Sequence, residues 1–119
     1  VVSDSGVLGA FAGDSVGNLA VGDYIFLDGA GNVDRASIYW HTDGSWSSMT
    51  RITDTNVFYV AVPSGKTSSG FNICRMNSGT TTNDWDNRWN QTDNISASNN
   101  NWFHFDSYGS GNVFQHFCV

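Results

Sequence analysis

The sequence predicts an all-β chain folded as an antiparallel sandwich, and three observations carry that expectation. Strong helix formers are scarce: there is no Glu, Lys occurs once, and Leu is confined to Leu8, Leu19 and Leu27. The abundant Asn, Ser, Thr, Gly and Asp compete with a helix by bonding their own backbone. Aromatic and β-branched residues supply the apolar content, which suits a pleated surface. Lastly, apolar segments of strand length recur between Gly- and Asn-rich turns, the spacing of a sandwich.

The elements follow in chain order. Residues 1–22, "VVSDSGVLGAFAGDSVGNLAVG", alternate weakly; they read as an edge strand or an assembly arm. "DYIFLDG" is the first clear strand, with Tyr24 and Phe26 in period two. "AGN" turns the chain into "RASIYWH", which "TDG" ends. "NVFYVAV" and "GFNICRM" are strands on either side of "PSGKTSSG", a turn opened by the only proline. Residues 77–101 form a polar excursion that carries Trp85 and Trp89, and "NWFHFDSY" and "VFQHFCV" close the chain as two more strands. About six strands are expected, in one domain over residues 1–119, with the sandwich proper in 23–119. A chain of 119 residues has room for one core.

Composition narrows the partners. A net charge of −6 with five basic residues lacks the cationic footprint that nucleic acid or an anionic membrane surface requires. No apolar run approaches the roughly 20 residues of a membrane-spanning helix. The opening "VVSDSG" shows no leader, so an exported protein would be in its mature form. Few charges and many amides and hydroxyls suit neutral, polar partners such as sugars, or dense protein contacts. Cys74 and Cys118 are the only cysteines and lie in apolar runs; they are either two buried thiols or one disulfide between strands. An extracellular setting favours the disulfide, which closes a long loop and would stabilise by roughly 4 kcal/mol on the chain-entropy model.

From about residue 23 onward the order of features resembles the starch-binding modules of carbohydrate-binding family 26 and their relatives. The matching stretches are "YIFLD", "IYW" followed by "GSWSSM", "FYVAVPSG", and "FNICRMNSGTTTNDWDNRWNQTDNI". The last is the most specific: an apolar strand, Arg, Met, Asn, a Ser/Thr/Gly turn, a Trp, then Trp-Asn-Gln-Thr and an acid. The resemblance implies an immunoglobulin-like β-sandwich without catalysis that binds α-glucan by stacking aromatic rings on pyranose rings; low Lys and Glu, abundant Asn, Ser and Thr and the two cysteines point to an extracellular protein. Trp46 fits the family's loop tryptophan. Two outward aromatics of the preceding strand fall at Ala36 and Ile38, with Tyr39 and Trp40 beside them; alternation turns at least one of that pair inward.

The candidate ligand-binding residues are therefore Trp46, Tyr39, Trp85, Trp89 and Arg88. For Trp85 and Trp89 the competing expectation is that at least one anchors the loop. Asp84 and Asp86 are two carboxylates, as glycoside hydrolysis needs, but their place in an Asn/Asp-rich loop favours turn hydrogen bonds. His41, His104 and His116 lie in aromatic strands with no catalytic motif around them, and no regular calcium-ligand spacing is present. Catalysis, a metal and a cofactor are not expected. Asn90 in "NQT" and Asn94 in "NIS" match the N-glycosylation sequon. An alternative function draws on the apolar first 22 residues and the aromatic last strand: a self-assembling subunit of an extracellular filament or surface layer, whose partners are copies of itself.

Overall fold

A computed structural model describes residues 21–29, 31, 33–66, 70–92, 94–95 and 102–104, with Trp102 and His104 described by their backbone alone. The described strands are β1 (Tyr24–Asp28), β2 (Ala36–Trp40), β3 (Trp46–Ser48), β4 (Thr50–Arg51), β5 (Val57–Ala61), β6 (Phe71–Met76), β7 (Arg88–Gln91) and β8 (Trp102–His104). A 3₁₀ turn, Trp85–Asn87, precedes β7. The strands make two four-stranded sheets, ordered β4-β5-β1-β8 and β3-β2-β6-β7. The chain is an all-β sandwich. Pairing is antiparallel except between β1 and β8, the one parallel pair among the described strands.

Period-two alternation explains the core. In β2, Ala36, Ile38 and Trp40 point between the sheets, and in β6 Phe71 and Ile73 meet them. Ile25, Leu27, Phe58 and Phe103 face them from the other sheet. Each fully buried aliphatic or phenyl side chain of this kind stabilises by about 1.5–3 kcal/mol. Trp40 buries its indole, and its Nε1 donates to Ser47 Oγ at 2.9 Å, so the polar handle is satisfied. The positions where the family resemblance placed outward aromatics, Ala36 and Ile38, are thus core positions. Alternation puts Ser37, Tyr39 and His41 on the outer face instead.

A second, smaller cluster of Phe26 and Ile52, packed by Tyr24, Val57 and Tyr59, lies on the other sheet. Gly70 sits where two segments converge. Phe71 and Ile95 exchange both backbone hydrogen bonds at 2.9 Å, and a Cβ on Gly70 would come within 2.5 Å of the Ile95 carbonyl oxygen. Glycine is needed there for close approach rather than for its dihedral freedom.

The polar excursion expected over residues 77–101 needs a correction, because it contains β7. Arg88–Gln91 pairs with β6 through Cys74↔Gln91 and Arg75↔Asn90, with a register shift at Arg75/Met76. Its composition hides it: Asn is depleted in strands and no apolar alternation marks the segment. The expected strand "VFQHFCV" lies outside the described residues, as do residues 1–20 of the edge strand or assembly arm expected over 1–22. Among the described residues no helix is long and apolar enough to cross a membrane.

Candidate functional site

The outer face of the β3-β2-β6-β7 sheet is crossed by residues 77–87, and the crossing is pinned by one side chain. Asn83 Oδ1 accepts from Arg35 Nη2 at 2.7 Å and from Ser37 Oγ at 2.6 Å, while its Nδ2 donates to Ser48 Oγ at 3.0 Å. One amide thereby bridges β2, β3 and the residue before β2. The ends of the segment meet where Asn77 N donates to the Asn87 carbonyl at 2.7 Å. Asp84 then caps the 3₁₀ turn: its Oδ1 accepts from Asn87 N at 2.9 Å and Asn87 Nδ2 at 2.8 Å. For Asp84 the turn-bonding reading of the Asp84/Asp86 pair is the one the geometry supports.

Pinned this way, Trp85 is carried onto the sheet face and meets two other rings. Tyr39 and Trp46 are opposed in the β2–β3 register, and their centroids lie 5.1 Å apart. Trp85 stands 4.7 Å from Tyr39 and 4.8 Å from Trp46. The three rings form a nearly equilateral cluster, mutually tilted by 58 to 66°. Edge-to-face pairs of this kind contribute about 0.5–1.5 kcal/mol each beyond their buried area. The cluster nonetheless leaves Trp85 41% exposed, and Tyr39 and Trp46 half-buried. Trp85 therefore anchors the loop and presents ring surface at once.

Arg88 completes the cluster. Its guanidinium sits 5.4 Å from the Trp85 ring centre and its Nη1 donates to Gln91 Oε1. Trp89 stands apart: it is also 41% exposed, but its neighbour is Arg75, whose guanidinium lies 4.0 Å over the ring. Of the five expected ligand-binding residues, Tyr39, Trp46, Trp85 and Arg88 are brought together, and Trp89 occupies a separate position on the edge strand β7.

The hairpin between β2 and β3 supports one side of the cluster. Gly44, with φ of 71°, adopts a conformation that other residues rarely take, and a Cβ there would lie 3.2 Å from the Tyr39 hydroxyl. Asp43 in the same turn pairs with Lys66. That hydrogen bond chiefly holds the Asp43 carboxyl down at about 2, helped by bonds from Ser45. The pair lies at the surface and adds little to stability.

Beneath the crossing segment, Cys74 is wholly buried and carries a free thiol. Burial pushes its pKa up to about 12, against a small opposing pull from Arg88. Cys118, the partner suggested by the sequence, lies outside the described residues. Asn90 is 3% exposed and its sequon partner Thr92 is buried as well, which closes that side chain to a glycan in the folded chain. Asn94 is exposed, and its Oδ1 accepts from Asn72 Nδ2 at 3.1 Å.

Two features escaped the sequence reading. Asn83 was lost among the polar residues of a loop, where nothing distinguishes an anchoring amide from a solvated one. Asn72 had a visible signal, a single amide inside the apolar run "FNIC", and it lies directly opposite Tyr39. Neither a protein-family model, nor a curated protein, nor a solved structure matches this chain.

Proposed function

We propose that this chain is a non-catalytic, extracellular carbohydrate-binding module that holds α-glucan on the cluster of Tyr39, Trp46 and Trp85. The observation that carries this reading is the gathering of three aromatic rings, within 5.1 Å of one another, on one sheet face while Trp85 keeps 41% of its surface in water. Indole in water is costly unless something covers it, and a pyranose offers a sheet of axial C–H groups of matching size. Rings tilted by 58 to 66° from one another share no single plane, which suits the curved course of an α-linked chain better than a flat, ribbon-like one.

The surroundings have the polarity that such a ligand asks for. Arg88 borders the cluster and bonds Gln91, and amide and hydroxyl groups outnumber charges across the face. Ligand sites of this type combine an apolar floor with a few fixed polar groups. The test is direct. Tryptophan emission of the wild-type protein should change saturably with maltoheptaose, and the protein should be retained on insoluble starch. Trp46→Ala should lose both responses while remaining folded, because its ring is only half-buried. A wild-type protein that passes through starch unretained, with unaltered emission, rejects the reading.

A further inference from the structure

The ring cluster is continued across the sheet by a strip of polar side chains. Asn72 faces Tyr39 in the β2–β6 register and is 3% exposed. Its Nδ2 donates to the Thr92 carbonyl and to Asn94 Oδ1, both at 3.1 Å, and its Oδ1 lies 2.7 Å from His41 Nε2. The orientation of this amide is fixed by chemistry, since a backbone carbonyl only accepts and so must face the nitrogen. Oδ1 then faces His41, and an acceptor there places the proton of the neutral imidazole on Nε2.

Two directional groups follow from that one buried amide. His41 Nδ1 becomes an acceptor, and no donor among the described residues takes it. It stands over Gly70, where a Cβ would come to 3.1 Å. Asn94 has its oxygen committed to Asn72, so its Nδ2 is turned away as a donor on an exposed residue. The His41 ring is 5.8 Å from the Tyr39 ring. An acceptor and a donor, both oriented through Asn72, thus border an aromatic surface.

We propose that the strip His41–Asn72–Asn94 is a hydroxyl-reading half of the ring site, in which His41 Nδ1 accepts from one hydroxyl of a neutral pyranose and Asn94 Nδ2 donates to a neighbouring one. Asn72 is the positioning residue: it touches no ligand and sets the direction of both groups. This assignment rests on the carbohydrate reading of the ring cluster. It adds specificity that stacking cannot supply, because ring faces of different sugars look alike whereas their hydroxyl directions differ. A site built to bond a hydroxyl discriminates strongly against a ligand that lacks it.

Asn94→Asp separates this role from a merely structural one. The variant keeps an oxygen to accept from Asn72 Nδ2, so the buried network survives, but it deletes the outward N–H donor. Since Asn94 Nδ2 is also the atom an N-glycan would occupy, the protein is made in a host that adds none. Calorimetric titration with maltoheptaose should show a dissociation constant raised roughly fivefold or more, the loss of one hydrogen bond, with an unchanged thermal midpoint. An unchanged dissociation constant in Asn94→Asp, alongside lost binding in Trp46→Ala, overturns the strip and leaves the ring cluster standing. Absence of binding by the wild-type protein overturns both.

Discussion

Trp85 shows that anchoring and display are compatible in one residue. A tilted contact with Tyr39 and an edge-to-face contact with Trp46 hold its indole, while 41% of the residue remains in water. Cys74, under the same segment, illustrates the opposite outcome, a side chain whose chemistry is suppressed by burial. Its thiol is pushed up to about 12 from an ordinary value of 9.0, so the neutral form is favoured in the fold. In protein kept reduced, this contribution to stability is complete below pH 9 and is lost as pH rises from 9 towards 12, because only the unfolded chain ionises there. The full effect is on the order of 4 kcal/mol. Alkaline denaturation of wild-type and Cys74→Ala should therefore diverge above pH 9, the variant showing the shallower decline. Parallel curves would place the thiol in contact with water.

At the scale of elements, Asn83 controls the segment that carries Trp85. Asn83→Ala removes an acceptor from Arg35 and Ser37 and a donor to Ser48. Leaving such partners unsatisfied costs about 1–3 kcal/mol. The expected result is a lowered denaturant midpoint together with red-shifted tryptophan emission, as Trp85 leaves the cluster; a shift in midpoint alone would mean that the rings hold the segment unaided. The same element marks the limit of what the sequence disclosed. Strands β1, β2, β5 and β6 were legible as apolar segments between turn residues, but in β1 the period-two pair read from the sequence, Tyr24 and Phe26, faces the smaller cluster, while Ile25 and Leu27 fill the main core. By contrast β7 was not legible, since Asn90 is the buried residue and Trp89 the exposed one, an inversion that hydrophobic patterning cannot see. Likewise β3 and β4, of three and two residues, are too short for alternation to register. For the site, Tyr39, Trp46, Trp85 and Arg88 were named from residue type, but their convergence depends on Asn83, whose partners lie 35 to 48 residues away.

At the scale of the molecule, two sheets enclose one main core and leave one outer face with an aromatic half and an amide half. With 13% charged residues and a net charge of −6, the chain offers a polyanion no long-range attraction. Trp89, set on the edge strand β7 beneath Arg75, is the feature through which copies of the chain would meet if the protein assembled by strand addition. One measurement distinguishes these uses. Backbone and side-chain amide resonances followed by NMR during titration with maltoheptaose should move at the Trp46 and Trp85 indole N–H groups and at Asn94, and stay still at Phe26 and Tyr59 on the opposite sheet. Resonances that ignore the glycan, and instead move at Trp89 as protein concentration rises, would contradict the account and give the surface to self-association.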